Sequence, residues 1–152
     1  MTTVLAPVTG SVVGLAAVPD PVFAEGLVGP GTAIDPVRRP GRVLAPIAGV
    51  IRKLHPHAYV VVGAGGRGVL VHLGVDTVQL HGEGFRLLVA EGRPVRAGAP
   101  VVAWDPAMVE AGGRSPLCAV IALDAPPGAV RPLVAAGPVR AGTGLLSWDA
   151  GC

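Results

Sequence analysis

The side chains of this chain that are best suited to chemistry are histidines, and one of them interrupts an apolar run. Residues 69–80 read Val-Leu-Val-His-Leu-Gly-Val-Asp-Thr-Val-Gln-Leu, in which seven residues are Val or Leu. This pattern predicts a buried β-strand that leads into a turn. His72 lies inside the strand, and a neutral imidazole is a ready nucleophile or metal ligand near pH 7. Gly74 allows another group to approach closely. Taken alone, a strand histidine is more often a core residue with satisfied hydrogen bonds.

A second group of histidines changes that balance. Residues 54–59 read Leu-His-Pro-His-Ala-Tyr and are predicted to lie on the preceding strand. The Gly-rich residues 63–68 between the two strands predict a hairpin loop. Such a hairpin brings His57 or His55 alongside His72. Because two neighbouring imidazoles on one sheet must each find hydrogen-bond partners if they are buried, the pattern favours a functional pair.

The elements that must position these histidines are predicted to be short strands. The chain of 152 residues contains 23 Gly and 16 Pro, yet 51% of its residues are hydrophobic. We therefore expect a single domain, residues 1–152, with an all-β fold: a compact antiparallel sandwich or barrel-sandwich with little helix. Residues 85–91 and 106–111 are the only modest helix candidates, because prolines interrupt most other windows.

Two internal repeats predict a duplicated β-motif. Residues 5–15 align without gaps on residues 44–54, and residues 94–105 align on residues 138–149. Both copies of the second repeat end in Trp-Asp. Since the chain has only 2 Trp, this match argues against coincidence. We expect the two motifs to pack face to face.

Composition argues against several classes of protein. A net charge of +2 and 3% aromatic residues do not suggest nucleic-acid binding. No apolar run reaches the roughly 18 residues of a membrane helix, and no signal peptide is recognisable, which predicts a cytoplasmic protein. Cys118 is expected in the core, and it could form at most one disulfide, with the terminal Cys152. The repeats are similar to biotinyl and lipoyl carrier domains, but the only lysine, Lys53, precedes the position where those domains carry their cofactor.

A longer series of motifs resembles one protein family over nearly the whole chain. In chain order these are Val-Pro-Asp-Pro-Val-Phe-Ala-Glu (18–25), Leu-Val-Gly (27–29), Ala-Pro-x-x-Gly (45–49), His-Ala (57–58), Val-His-Leu-Gly-Val-Asp-Thr-Val (71–78) and Gly-Glu-Gly-Phe (82–85). Together they resemble the IIA component of the glucose family in the bacterial phosphoenolpyruvate:sugar phosphotransferase system. The fold that this resemblance implies is an antiparallel β-sandwich.

The resemblance implies a phosphotransferase that carries phosphohistidine. His72 would accept a phosphoryl group from the small carrier protein HPr and pass it to a cysteine of a sugar-specific IIB domain, which drives sugar uptake through the membrane domain IIC. Nε2 would be the attacking atom, with the other ring nitrogen held by a backbone carbonyl. His57 would stabilise charge on the phosphoryl oxygens. No cofactor is expected.

The resemblance also implies a shallow docking surface for the partners. Its expected apolar members are Val22, Phe23, Leu27, Val28, Leu70 and Val78. Asp20 and Asp76 would lie at its rim and meet basic groups on HPr. Each apolar residue could equally be ordinary core, and Asp76 could be a turn cap. His55 stands where the family often has threonine, and its role is open.

Two alternatives come from other functional classes. His55, His57, His72 and Asp76 have the residue types of a zinc site, as in lysostaphin-like metallopeptidases. In those enzymes, however, the two motifs occur in the opposite order along the chain. Weak zinc binding by His57 and His72 alone, with a carboxylate from a partner, is a separate hypothesis. The other alternative is a regulatory module that binds transporters or enzymes without phosphotransfer, but retention of His72 favours a working phosphocarrier.

Overall fold

The computed structural model describes residues 2–149 and consists mainly of short antiparallel strands. The strands are β1 Thr2–Leu5, β2 Gly10–Val12, β3 Gly31–Pro36, β4 Gly41–Leu44, β5 Gly49–His55, β6 Ala58–Val62, β7 Gly68–Leu73, β8 Phe85–Leu87, β9 Pro94–Val95, β10 Pro100–Trp104, β11 Cys118–Ala122, β12 Val130–Pro132, β13 Gly137–Val139 and β14 Gly144–Trp148. The helices are α1 Pro21–Ala24 and α2 Pro106–Ala111, with 3₁₀ turns at Leu15–Ala17, Ala64–Gly66 and Thr77–Leu80. Glycine or proline begins most of the strands, because these residues end the preceding turns.

The strands form one large sheet and two small ones. The large sheet has eight strands in the order β13-β2-β3-β11-β7-β6-β5-β9, and the small sheets have the orders β1-β14-β12 and β4-β10-β8. Every neighbouring pair is antiparallel. The predicted all-β antiparallel fold is therefore confirmed.

The two repeats occupy equivalent places, which confirms the duplicated motif. Counted inward from its two edges, the large sheet has equivalent strands at equivalent positions. The equivalent strands are β13 and β9, β2 and β5, β3 and β6, and β11 and β7. Reciprocal hydrogen bonds join the two copies of the first repeat. The Leu5 N–H donates to the Pro46 carbonyl at 2.8 Å, and the Leu44 N–H donates to the Pro7 carbonyl at 3.0 Å. The molecule thus has an approximate internal two-fold relation, and β7 and β11 meet at its centre.

The central strand β7 divides its side chains between two apolar clusters. Val69, Val71 and Leu73 alternate along the strand and are fully buried in the main core. Leu70 and His72 lie on the opposite face, where a smaller cluster that includes Phe23 covers the sheet. This period-of-two alternation places His72 under the covering segment and outside the main core.

Of the two predicted helices, one is confirmed and one is wrong. Residues 106–111 form α2, which begins after Asp105, whose carboxylate accepts from the N–H groups of Ala107 and Met108. Residues 85–87 instead form strand β8, paired with β10 through Leu87 and Val102. The strand forms there because pairing with β10 satisfies the backbone hydrogen-bonding groups that a helix would satisfy within itself.

Two smaller expectations concern Cys118 and the membrane. Cys118 is fully buried in the main core, as predicted, while Cys152 lies outside the described residues. Among residues 2–149, no helix combines the length and apolar character needed to cross a membrane.

Candidate functional site

His72 lies near the end of β7, where both neighbouring strands offer it a small residue. It is paired with Ala58 on β6 and with Ala119 on β11. Because neither neighbour extends beyond a methyl group, the imidazole has room to lie over the sheet. The side chain is half-buried, so it combines a fixed position with access from outside.

A backbone hydrogen bond sets the protonation of the His72 ring. Nδ1 lies 2.7 Å from the carbonyl oxygen of Gly74. Since a carbonyl can only accept, Nδ1 carries the hydrogen, and Nε2 of the neutral ring keeps its lone pair. Nε2 is therefore the nucleophilic atom.

The turn after β7 is built to hold that carbonyl in place. Gly74 has φ +81°, and a Cβ at this position would lie 2.5 Å from Thr77 Cγ2 and 2.8 Å from the Ser115 carbonyl oxygen. The buried Thr77 hydroxyl donates to the Leu73 carbonyl at 2.6 Å. The turn thus has space only for glycine at the residue that contacts His72.

His57 lies beside His72, in a turn and not on a continuous strand. The prediction of one strand over residues 54–59 is wrong in detail: β5 ends at His55, and Pro56 and His57 form the turn to β6. Proline cannot donate to a strand ladder, which explains the break. The predicted hairpin between β6 and β7 is confirmed, and the Leu73 N–H donates to the His57 carbonyl at 2.7 Å.

Three imidazoles follow one another at this point and form what we call the histidine row: His55, His57 and His72. The rings of His57 and His72 have centroids 5.3 Å apart and meet edge to face at 71°. The rings of His55 and His57 have centroids 5.7 Å apart and are stacked at 26°. His55 is exposed and His57 is half-buried, so the row runs from the surface towards His72.

Burial keeps the inner two rings neutral. Desolvation, together with the positive charges that His72 and His55 can carry, lowers the pKa of His57 to about 4. Desolvation also lowers the pKa of His72, against the opposing effects of the Gly74 carbonyl and of the Asp20 and Asp76 carboxylates. Near pH 7 both rings are therefore uncharged, and His72 is in its nucleophilic form.

Comparison with known proteins identifies the family. The model of the family described as "phosphoenolpyruvate-dependent sugar phosphotransferase system, EIIA 1" matches residues 2–126. The chain belongs to this EIIA family. It is a component of the sugar phosphotransferase system.

Relatives and a solved structure agree with this assignment. The chain is 37% identical over 121 residues to the glucose-specific EIIA component of Bacillus cereus, a match that covers 78% of this chain and 72% of the relative. It is 37% identical over 142 residues to the N-acetylglucosamine-specific EIICBA component of Klebsiella pneumoniae, which covers 92% of this chain but only 22% of that longer protein. The glucose permease IIA of Mycoplasma capricolum superposes with a TM-score of 0.85 at 32% identity, covering 95% of this chain and 93% of the other.

The residues predicted to form the docking surface of this EIIA protein lie at different depths. Val22, Leu27 and Val78 are exposed at 44%, 69% and 59%, so they present apolar surface to solvent. Phe23 is buried, and its ring lies 5.0 Å from the ring of His72. Val28 and Leu70 are partly buried and pack with Phe23 in the smaller cluster. These three residues form the support beneath the surface.

The two predicted rim carboxylates have different local roles. Asp20 begins α1, where its Oδ1 accepts from the Val22 N–H at 3.0 Å. Asp76 is exposed and has a left-handed backbone with φ 58°. Its side chain makes no capping hydrogen bond within the described chain, so the turn-cap interpretation of Asp76 finds no support. Both carboxylates are close enough to act on the pKa of His72.

The zinc-hydrolase hypothesis finds no matching geometry in this EIIA protein. Within residues 2–149, no group of three or more His, Cys, Asp or Glu side chains is arranged to hold a metal ion, so His55, His57, His72 and Asp76 do not converge on one point. The separate hypothesis of weak zinc binding at His57 and His72 therefore requires a ligand from another molecule.

Sequence reasoning missed how the site is held together. The Gly74 carbonyl and the Thr77 hydroxyl fix the turn, and the ring of His55 stacks on His57. Thr77 was visible inside the 71–78 motif, but an apolar turn gives no sign of which hydroxyl points inward. The stacking of His55 depends on the turn at Pro56, which the predicted continuous strand did not contain.

Proposed function

We propose that this EIIA protein is a phosphohistidine carrier, with Nε2 of His72 as the atom that is phosphorylated. The observation that carries the proposal is the hydrogen bond from His72 Nδ1 to the Gly74 carbonyl, which leaves the Nε2 lone pair free on a half-buried ring. Family membership supports the direction of transfer: from HPr to this chain and onward to a IIB domain.

The first transfer forms one bond and breaks another. The Nε2 lone pair of His72 bonds to phosphorus while the phosphorus–nitrogen bond to the histidine of HPr breaks, and the HPr ring keeps that electron pair. Phosphoryl transfer of this kind passes through a loose transition state, so alignment contributes more than covalent assistance. The His72 ring, fixed at Nδ1, supplies that alignment.

His57 stabilises the charge on the transferring group. As a neutral ring it carries one N–H, which can donate to a phosphoryl oxygen bound at His72. The distance of 5.3 Å between the ring centroids supports a role for His57 at a phosphoryl group bound to His72.

In the second transfer, the phosphoryl group leaves for a cysteine. A thiolate of the IIB domain bonds to phosphorus, the bond to Nε2 breaks, and His72 regains its lone pair. The Klebsiella relative named above is an EIICBA component, in which A, B and C parts share one protein, and this supports a IIB/IIC transporter as the partner here. The relatives' names support a hexose or an N-acetylated hexose as the sugar. We place the protein in the cytoplasm, where HPr acts.

Both partners would dock on one surface. Val22, Leu27 and Val78 supply its exposed apolar area, and Asp20 and Asp76 supply negative charge for basic groups on HPr. A shallow surface of this kind suits a protein that must release one partner before it binds the next.

The test is phosphorylation of the protein by phosphoenolpyruvate in the presence of purified enzyme I and HPr. We expect wild type to gain one acid-labile phosphoryl group, measured by intact mass and phosphorus NMR. His57→Ala should still be labelled, more slowly, whereas His72→Ala should not be labelled. Absence of label on wild type, with partners that phosphorylate a known EIIA protein in parallel, would reject the proposal.

A further inference from the structure

The ring of His57 is held in an unusual way for a residue that must aim a hydrogen bond. Its backbone is anchored by the Leu73 N–H, but within residues 2–149 its imidazole makes no hydrogen bond to a side chain or to the backbone. His72, in contrast, is fixed through Nδ1. The orientation of the His57 ring therefore depends on what packs against it.

Two rings pack against it. His72 meets it edge to face at 71°, and His55 is stacked on it at 26° with centroids 5.7 Å apart. Offset stacking of planar rings at this distance favours one ring plane over others. The plane of His57 in turn decides whether its N–H points towards the phosphoryl position on His72.

The stacking follows from the turn at Pro56. His55 is the last residue of β5 and His57 the second residue of the turn, and the turn leaves their ring centroids 5.7 Å apart. A Cβ at Gly82 would lie 3.6 Å from the Pro56 ring, which places the loop after the Thr77–Leu80 turn against this hairpin. Pro56 restricts the hairpin backbone, and this limits how far His55 can move away from His57.

We propose that His55 is a positioning residue, whose ring holds the plane of His57 by stacking so that the N–H of His57 faces the phosphoryl group on His72. This inference rests on the proposed phosphocarrier function. His55 itself does not contact the transferred group. It acts through His57.

The experiment compares three variants by single-turnover transfer from phospho-HPr. His55→Ala removes the ring, and His55→Phe keeps a planar ring but removes both nitrogens. His81→Asn is the matched control, because His81 is also exposed but lies outside the histidine row, and asparagine tolerates its left-handed backbone (φ 52°). Amide NMR spectra establish that each variant is folded.

We expect His55→Ala to lower the transfer rate at saturating phospho-HPr by about tenfold, the scale of a modest loss of alignment. The phospho-HPr concentration that gives half the maximal rate should not change, because the docking surface is intact. His55→Phe should recover most of the wild-type rate, and His81→Asn should match wild type. Nuclear Overhauser contacts between the rings of residues 57 and 72 should persist in His55→Phe and weaken in His55→Ala.

Two results would overturn the inference. One is a His55→Ala variant that transfers as fast as wild type. The other is a His55→Phe variant as slow as His55→Ala, which would assign the effect to the nitrogens of His55 and not to stacking. If wild type accepts no phosphoryl group, the proposed function fails, while the ring contacts measured by NMR still decide whether His55 positions His57.

Discussion

The tautomer of His72 is set by a single backbone carbonyl. Gly74 accepts from Nδ1, and only glycine fits at that residue because Thr77 and Ser115 occupy the space beside its Cα. A turn of the main chain therefore orients the ring that we propose as the nucleophile. This arrangement fixes the ring and its tautomer, while burial keeps the ring neutral.

Replacement of Gly74 tests this directly. Gly74→Ala should destabilise the protein by about 1–3 kcal/mol and slow phosphorylation of His72, because the added methyl group displaces the turn that holds Nδ1. Gly66→Ala is the control: Gly66 has a similar φ of +75°, but nothing lies within 4 Å of its Cβ position. Thermal unfolding and the labelling rate measure the two effects. If both variants lose the same stability and labelling rate, the losses come from backbone strain and not from the contact of the added methyl group with Thr77 and Ser115.

The low pKa of His57 predicts how stability depends on pH. The folded-state pKa is about 4, below the unfolded value of about 6.5. Between these values the unfolded chain binds the proton and the folded protein does not. The contribution of His57 to the free energy of unfolding is therefore complete above about pH 6.5 and is lost as the pH is lowered towards 4. Since the pKa of His72 is lowered as well, His72 also makes the folded protein less stable as the pH falls.

NMR titration of the imidazoles and melting temperatures from pH 8 to pH 4 check this prediction. We expect the His57 resonance to titrate near pH 4, and His57→Gln to show a shallower fall in melting temperature on acidification. A His57 midpoint at the ordinary value would show that the ring is not desolvated in solution.

Helix α1 connects the proposed docking surface to the proposed nucleophile, His72. It has only four residues, and Asp20 caps its first turn while Phe23, on its buried side, contacts the His72 ring. Val22, next to Phe23, is exposed. One short helix thus packs one residue against the His72 ring and exposes an apolar neighbour to solvent.

Substitutions at Asp20 separate capping from charge. Asp20→Asn should keep the melting temperature, because asparagine caps as well as aspartate, but should raise the concentration of phospho-HPr needed for transfer and reduce its salt dependence. Asp20→Ala should also lose about 1 kcal/mol of stability with the cap. If Asp20→Asn transfers like wild type at low salt, then Asp20 does not take part in docking.

The duplicated architecture predicts that the two halves fold as one unit. The eight-stranded sheet contains strands from both repeats, and the reciprocal Leu5 and Leu44 hydrogen bonds cross between them. Trp104 and Trp148 end equivalent strands and are both buried in the same core cluster. Unfolding of one half would therefore expose the other.

A core substitution far from the site tests this unity. Leu145→Ala should cost about 2–5 kcal/mol, because Leu145 is fully buried on β14. Tryptophan fluorescence and far-ultraviolet circular dichroism should give the same unfolding midpoint, and phosphotransfer below that midpoint should be unchanged. Leu133→Ala, at a residue that is 53% exposed, should have little effect. Separate fluorescence and circular-dichroism midpoints would show that the halves unfold independently.

Local pattern was enough to predict the strand that carries His72, the hairpin that brings His57 beside it, and the duplicated β-motif. These features depend on alternation, on glycine turns and on repetition, which are all properties of neighbouring residues. The same kind of pattern failed at residues 85–91, where pairing with β10 overrides a weak helical preference.

Other features depend on contacts between residues that are distant along the chain or separated by an unexpected turn. Burial of Phe23 against His72 and the fit of Gly74 against Ser115 arise when separate segments pack together, whereas the stacking of His55 on His57 arises from the turn at Pro56. The residue types of the site can be recognised along the chain, because chemistry restricts which side chains are suitable. Their alignment cannot, because it is set by packing across the sheet, where small differences in position decide which atoms meet.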